Sequence, residues 1–185
     1  SNALDATTNS GRYYLVETSV PNGYLMEQSR IPVAFIHEGQ QIAYQIVDCL
    51  HTDKATEVEI SKRGCAGSDA ADSFALPGAV LAVTDQNGKV VDTWTSGDAA
   101  HTIRGLQLGS VYTLTETCPA DGYITARSIQ FKLEQARDEK GEYLQKTEVW
   151  VLTETPSAEV ISGSIVSPVT FADDVPKTGI FATLK

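Results

Sequence analysis

The stretch LTETCPADGY, residues 114–123, carries most of the information on the fold, because a close copy of it, LVETSVPNGY, occupies residues 15–24. Each copy is an apolar strand that ends in Glu-Thr and is followed by a proline and a Gly-Tyr turn. Tyr112, Leu114 and Glu116 alternate with threonines, which places their side chains on one face of a strand. The repetition predicts two related β units in one chain.

Strand patterns also dominate the rest of the sequence, and no stretch predicts a convincing helix. The run VEISKR begins at Val58 and alternates, and AVLAVTD at residues 79–85 precedes QNGKVVDTW. Asn87-Gly88 between two such runs is a strong signal for a β-hairpin. Further strand patterns are SIQFKLEQ at 128–135, TEVWVLTE at 147–154 and SIVSPVTFADD at 164–174. Short strands separated by glycine and proline predict an all-β fold, an antiparallel β-sandwich.

The repeat divides the chain into a complete unit and a partial one. In the partial unit, strands are predicted at 12–18, 31–37 and 41–48, which should form a small antiparallel sheet. The strands equivalent to 58–110 are missing from it, so we expect the chain to be cut from a longer protein. The predicted segments are a scar of tag removal at 1–3, the C-terminal part of a first unit at 4–50, a linker at 51–56, a complete unit at 57–174 and a terminal linker at 175–185.

Charge and composition exclude several classes of partner. The chain has 185 residues and a formal net charge of −10. A phosphate backbone requires a basic surface, so nucleic acid is not an expected partner. An anionic membrane surface is disfavoured for the same reason. No run of about 20 apolar residues is present, so the sequence predicts no membrane-spanning helix.

The cysteines and histidines do not predict a metal site. The cysteines are Cys49, Cys65 and Cys118, and no two of them form a Cys-x-x-Cys pair. The three histidines are scattered. A zinc site is therefore not expected, and neither is any other metal or cofactor. Two states of the three cysteines are open at this point: one disulfide with one free thiol, or three free thiols.

Three charged side chains are predicted to point into the apolar interior. Lys62 shares a strand face with Ile60, Glu116 ends a face of large apolar residues, and Asp173 follows Phe171 on one face of the last strand. Buried charges are costly unless they are paired. One interpretation is a buried ion pair, or surface residues at strand ends. The other is a reaction, in which a lysine amine condenses with a carboxyl group to form an amide.

Physical chemistry makes this reaction feasible in a dry core. Apolar burial lowers the pKa of a lysine and raises that of a carboxyl group. A neutral, desolvated amine is a nucleophile. A neighbouring carboxyl group can shuttle protons and polarise the attacked carbonyl, as a general acid–base does.

Several motifs follow one another in a fixed order between residues 58 and 131. They are the strand lysine, Leu76-Pro77-Gly78-Ala79, the Asp-x-x-Gly hairpin, Gly105-Leu106 with Gly109-x-x-Tyr112, and Glu116-Thr117-x-Pro119-x-x-Gly122-Tyr123. This order resembles the collagen-adhesin B-type (Cna B-type, SpaA-like) domains of Gram-positive cell-wall surface proteins and pilins. The resemblance implies an Ig-like or prealbumin-like sandwich in which a first-strand lysine bonds to a last-strand Asn or Asp.

The same resemblance assigns roles to individual residues. Lys62 would be the amine, Asp173 the acceptor and Glu116 the proton shuttle of an isopeptide bond. Many family members carry Asn at the acceptor position, so Asp173 changes the leaving group from ammonia to water. In the partial unit Glu17 and Asp48 match the family pattern, but the lysine strand is missing.

The function that the resemblance implies is structural. We expect a stalk or spacer module of a cell-wall-anchored adhesin or pilus-like protein, extracellular, with neighbouring repeats as partners and a host ligand and a sortase as further candidates. Bond formation is single-turnover, so the chain is not expected to be an enzyme. One alternative is a ligand-binding adhesin module for a host protein or glycan, which Trp94 and Trp150 on one exposed face would favour. Another is a spacer beside a distant catalytic domain.

Two smaller features complete the expectations. Val175-Pro176-Lys177-Thr178-Gly179 resembles the Leu-Pro-x-Thr-Gly signal that sortases cut between Thr and Gly; the alternative is an ordinary linker, with the proline ending the strand. Cys65 follows the lysine strand and Cys118 follows the Glu-Thr motif. If Lys62 and Glu116 are neighbours, the two cysteines could form a disulfide in an oxidising compartment, leaving Cys49 free.

Overall fold

The computed structural model describes residues 13–33, 51–65, 73–152, 159–161, 164–166 and 177–183. Its strands are β1 (Tyr13–Leu15), β2 (Tyr24–Leu25), β3 (Ile31–Val33), β4 (Lys54–Ala55), β5 (Glu57–Cys65), β6 (Ser73–Ala75), β7 (Val80–Asp85), β8 (Val90–Thr95), β9 (His101–Arg104), β10 (Val111–Cys118), β11 (Ile129–Arg137), β12 (Tyr143–Val151), β13 (Glu159–Ile161), β14 (Ser164–Val166) and β15 (Lys177–Thr183). No helix occurs in these ranges. In the same ranges, no helix is long and apolar enough to span a membrane.

Two antiparallel sheets build the complete unit. One has five strands in the order β12-β11-β10-β7-β8. In the other, β5 pairs along one edge with β15. Its opposite edge pairs with β9 near the start of β5 and with β6 near its end. All pairings in the two sheets are antiparallel, which confirms the predicted topology class.

Alternation along the strands places one apolar face of each sheet against the other. From one sheet, Val58 and Ile60 of β5 are buried, as is Ile103 of β9. They belong to one core cluster with residues of the five-stranded sheet, namely Leu81, Val83, Tyr112, Leu114, Ile129, Phe131, Leu133 and Val149. Burial of such side chains is the main source of stability. The two packed sheets confirm the predicted β-sandwich.

The predicted hairpin around Asn87-Gly88 is also confirmed. It joins β7 to β8. Asp85 Oδ1 accepts hydrogen bonds from the backbone N–H groups of Asn87 and Lys89, at 2.8 and 3.0 Å. Gly88 has a φ of +79°, which a residue without a side chain adopts at little cost.

The end of the chain differs from the prediction. Residues 177–183, interpreted as part of a terminal linker, form β15 and pair with Glu59–Cys65 of β5. In the alternative interpretation of residues 175–179, Pro176 ends the last strand, but a proline breaks the ladder only at its own position. The apolar run Ile180-Phe181-Ala182 beyond it is compatible with a strand. The predicted strand around Asp173 lies outside the described residues.

The partial unit contributes a small sheet of β1 and β3, which pair antiparallel from Tyr13↔Val33 to Leu15↔Ile31. An antiparallel sheet was predicted here, although β1 is shorter than the predicted strand 12–18. The predicted strand 41–48 lies outside the described residues. Within the predicted linker 51–56, Lys54 and Ala55 form β4 and pair with β2.

Candidate functional site

Lys62 lies on the core face of β5. Val58, Ile60 and Lys62 are 1%, 2% and 2% exposed, as the two-residue alternation of a strand requires. The Lys62 carbonyl accepts a hydrogen bond of 3.0 Å from the Leu76 N–H, and Lys62 is opposite Ile180 in the ladder with β15. The backbone on both sides therefore fixes the lysine in a position from which its side chain enters the core.

Glu116 reaches the same core from the other sheet. In β10 it follows the buried residues Tyr112 and Leu114 and is itself 2% exposed. Its Oε2 accepts a hydrogen bond from the backbone N–H of Ala126, which is also buried. The carboxylate is thus oriented by the loop that follows the Gly-Tyr turn.

Lys62 and Glu116 meet between the two sheets. Lys62 Nζ lies 3.1 Å from Glu116 Oε1, and both side chains are 0% exposed. The contact has the length of an ion pair, while Glu116 Oε1 is not in hydrogen-bond geometry with any group of the described residues. A charged group that is removed from water needs an opposite charge close by to offset the free-energy cost of its desolvation. The burial of both groups excludes the interpretation that they are surface residues at strand ends.

The third predicted participant, Asp173, lies outside the described residues. The structure therefore places the amine and the candidate proton shuttle together. Condensation of Lys62 with Asp173 stays a prediction. Asp48 of the partial unit lies outside the described residues as well.

The disulfide predicted between Cys65 and Cys118 is not present in the structure and stays a prediction for the oxidised protein. Cys118 is a free, exposed cysteine, and its Sγ lies 3.6 Å from the carbonyl oxygen of Pro119. The pairing of β10 with β7 shifts register between Glu116 and Cys118, so the alternation that turns Glu116 inward does not continue to Cys118. Cys49 lies outside the described residues.

The sortase-like motif is only partly described. Val175 and Pro176 lie outside the described residues, whereas Lys177, Thr178 and Gly179 pair with Cys65, Gly64 and Arg63 in the ladder between β15 and β5. A peptide held in a ladder is not accessible as an extended substrate. This placement argues against an exposed sorting signal at residues 175–179.

The two tryptophans do not share an exposed face. Trp94 packs against the core and stacks on His101, with ring centroids 4.3 Å apart. Trp150 is 46% exposed, and it follows Val149, which is buried on the opposite side of β12. The arrangement that would favour a ligand-binding module is therefore not observed for Trp94 and Trp150.

The partial unit repeats the anchoring of the glutamate. Glu17 Oε2 accepts a hydrogen bond of 2.7 Å from the backbone N–H of Glu27, ten residues later, as Glu116 does from Ala126. This hydrogen bond was not predicted from the sequence. In both copies the residue whose N–H donates it follows the glutamate of the Glu-Thr motif by ten positions. The Glu17 side chain is 15% exposed, so its surroundings are less dry than those of Glu116.

Glu17 also belongs to a cluster of ionisable groups at the junction with the complete unit. His51 Nε2 lies 3.3 Å from Asp53 Oδ1 and 3.9 Å from Glu17 Oε2. The three side chains could offer one ligand atom each to a cation, all within 4.8 Å of one another. His51 and Asp53 come from the predicted linker, and neither was singled out in the sequence.

Comparison with known proteins identifies the fold family of the complete unit. Residues 52–147, more than half of the chain, match the family model described as "SpaA: Prealbumin-like fold domain". A crystal structure of the pilus adhesin SpaC from Lactobacillus rhamnosus GG, in an open conformation, aligns with 91% of this chain at 15% identity and a TM-score of 0.36. The chain spans 24% of the length of that adhesin. No curated protein matches the sequence.

Proposed function

The chain belongs to the SpaA family of prealbumin-like fold domains, and on this basis we propose that it is a stalk or spacer module of a cell-wall-anchored surface protein of a Gram-positive bacterium. The module is stabilised by an isopeptide bond between Lys62 and Asp173. Its partners are the neighbouring domains of the same surface protein. The role is mechanical and protective, and the chemistry occurs once in each molecule.

One observation carries this proposal: the Lys62–Glu116 pair is completely buried and joins the two sheets. A buried pair is weak evidence for stability, because apolar residues of similar volume stabilise a core as well or better. The pair needs another reason to be present. Preparing an amine for nucleophilic attack is such a reason, since water is excluded and a carboxylate stands within proton-transfer distance.

The reaction is balanced without a cofactor. A proton passes from the Lys62 ammonium to the Glu116 carboxylate, which leaves a neutral amine. The amine attacks the Asp173 carboxyl carbon and forms the C–N bond. Glu116 returns its proton to the departing hydroxyl group and accepts one from the new C–N nitrogen, so the C–O bond breaks and water leaves. The products are an amide and one water molecule.

The bond would shorten the path of a load through the module. Lys62 is in the first strand of the complete unit and Asp173 is about 110 residues later, so tension can pass between them without crossing the sandwich. By analogy with a disulfide closing a loop of about 100 residues, the cross-link stabilises the fold by about 4.7 kcal/mol. Both effects suit a protein that must stay folded under tension and proteolysis.

Intact-protein mass spectrometry tests the proposal. The reduced chain should be lighter than its sequence mass by one water molecule, and a cross-linked peptide should contain Lys62 and Asp173. Glu116→Gln should restore the full sequence mass. Glu17→Gln is the matched control, because it alters the equivalent glutamate of the unit that lacks the lysine strand, and the mass deficit should remain.

A wild-type chain at full sequence mass would show that Lys62 and Glu116 are only an ion pair. A deficit that persists in Lys62→Arg would place the cross-link elsewhere and would contradict the assignment to Lys62.

A further inference from the structure

Residues 23–28 of the partial unit pack against the complete unit. We call this stretch the docking segment. Within it, Tyr24 and Leu25 pair with Ala55 and Lys54, which directly precede the first strand of the sandwich. Leu25 is only 1% exposed, although it belongs to the other unit. The contact therefore includes both backbone pairing and apolar burial.

The backbones of the two units approach most closely at Gly23. A Cβ atom added there would lie 2.3 Å from the Gly105 carbonyl oxygen, and the φ of Gly23 is +86°. The Gly23 carbonyl accepts a hydrogen bond of 2.8 Å from the N–H of Thr56. Thr56 is 0% exposed, and its hydroxyl group donates to the Leu106 carbonyl at 2.6 Å. A residue with a side chain at position 23 would therefore clash with Gly105. Separation of the two backbones would leave the buried Thr56 N–H without its hydrogen bond to Gly23.

Two glutamines of the complete unit bind the backbone of Met26. The Met26 N–H donates to Gln135 Oε1 at 2.9 Å, and Gln135 Nε2 donates back to the Met26 carbonyl at 2.8 Å. Gln145 Nε2 donates to the same carbonyl, also at 2.8 Å. The Gln135 side-chain amide thus bonds to the Met26 N–H and carbonyl as the backbone of a neighbouring strand would. The partial unit therefore contacts β11 and β12 as well as β4.

We propose that this surface of the complete unit, formed by β4, Gly105, Gln135 and Gln145, is a docking site for residues 23–28 of the preceding unit. The two units then form a joint of fixed orientation instead of two bodies on a flexible linker. The inference goes beyond the proposed function, because it concerns the orientation between units and does not require the covalent bond within one of them.

The second copy of the repeated motif supplies a matched control. Gly122 is the counterpart of Gly23 and has a φ of +82°, but a Cβ added there would have no neighbour within 4 Å. Alanine at either position is strained to a similar extent by its backbone conformation. Only Gly23→Ala also forces the two units apart.

Residual dipolar couplings of the whole chain, measured for N–H and Cα–Hα vectors, test the joint. In the wild type, β1 and β3 should share one alignment tensor with the sandwich. Gly23→Ala and, independently, Gln135→Ala should each require two tensors, while Gly122→Ala should keep one. Gln135→Ala decides the question if Gly23→Ala does not fold, because it introduces no backbone strain.

Three results would overturn the inference: separate tensors in the wild type, a single tensor in the Gln135→Ala variant, or separate tensors in Gly122→Ala. The intact mass of each variant reports the isopeptide bond separately. A joint without a mass deficit, or a mass deficit without a joint, therefore distinguishes failure of the proposed function from failure of this inference.

Discussion

Replacing Lys62 by methionine should lower the free energy of unfolding for two reasons, the loss of the ion pair with Glu116 and the loss of the proposed cross-link. The change leaves the Glu116 carboxylate buried opposite an apolar side chain, and the contact at 3.1 Å is lost. Breaking a buried pair in this way costs about 3–5 kcal/mol. Loss of the proposed cross-link over about 110 residues costs a further ~4.7 kcal/mol. The sum approaches the whole stability of a typical domain, about 5–15 kcal/mol.

The double variant Lys62→Met/Glu116→Gln removes the first cost and keeps the second. A glutamine carbonyl oxygen can still accept the hydrogen bond from the Ala126 N–H that Glu116 now accepts. With both partners of the ion pair replaced, the contribution of that pair should be close to zero or favourable to folding. The cross-link is still absent, so we expect the double variant to be less stable than the wild type by about 5 kcal/mol.

Denaturant unfolding and thermal melting of the reduced proteins measure these differences. For a chain of this size, 5 kcal/mol corresponds to a Tm lower by roughly 10–20 °C. The wild type and both variants should also differ in mass by the presence or absence of one water loss, after correction for the substitutions. A double variant as stable as the wild type would refute the cross-link, because a simple ion pair predicts that result.

Three other predictions concern the surroundings of the site. Ser96→Ala should destabilise the protein by about 2–4 kcal/mol in denaturant unfolding. The buried Ser96 hydroxyl group accepts a hydrogen bond from the Ala79 N–H at 2.9 Å and donates one to the Leu76 carbonyl at 2.7 Å, and both would be lost. A change below about 0.5 kcal/mol, the size expected for an exposed residue, would contradict this geometry. Cys118 should react with a maleimide in the native protein, as read from the mass of the peptide that contains it, and Cys118→Ser should abolish labelling of that peptide without changing the Tm; protection of the native Cys118 thiol would contradict its exposure. A sortase should not cleave after Thr178 while β15 is paired with β5, whereas a free peptide of residues 173–181 serves as the positive control; efficient cleavage of the folded chain would show that the strand opens readily.

The location of the reactive pair could be predicted from the sequence, because it depends on a local rule. In a strand, every second side chain points to the same face. Lys62 two residues after Ile60, and Glu116 two residues after Leu114, therefore had to enter the core once their strands formed. Lys62 and Glu116 meet only because their strands lie in two sheets that pack face to face. The order of the turn motifs predicted this sandwich.

The errors have long-range causes. The pairing of β15 with β5 joins residues that are more than a hundred positions apart, and local patterns carry no information on such a partner. The close approach of Gly23 to Gly105 could not be seen either, since a glycine in a turn is explained by its φ alone. The register shift after Glu116 leaves Cys118 exposed, and a bulge of this kind leaves little trace in sequence.

The antiparallel pairing of β15 with β5 has a mechanical consequence. Thr183 is opposite Glu59, so the start of the first strand and the end of the last one lie at the same end of the sheet. Pulling these two points apart unzips the ladder one hydrogen bond at a time, instead of shearing many bonds together. With a bond between Lys62 and Asp173, unzipping stops after about 15 residues, which extend by roughly 50 Å. Without the bond, about 110 further residues unravel, and the chain lengthens by roughly another 370 Å.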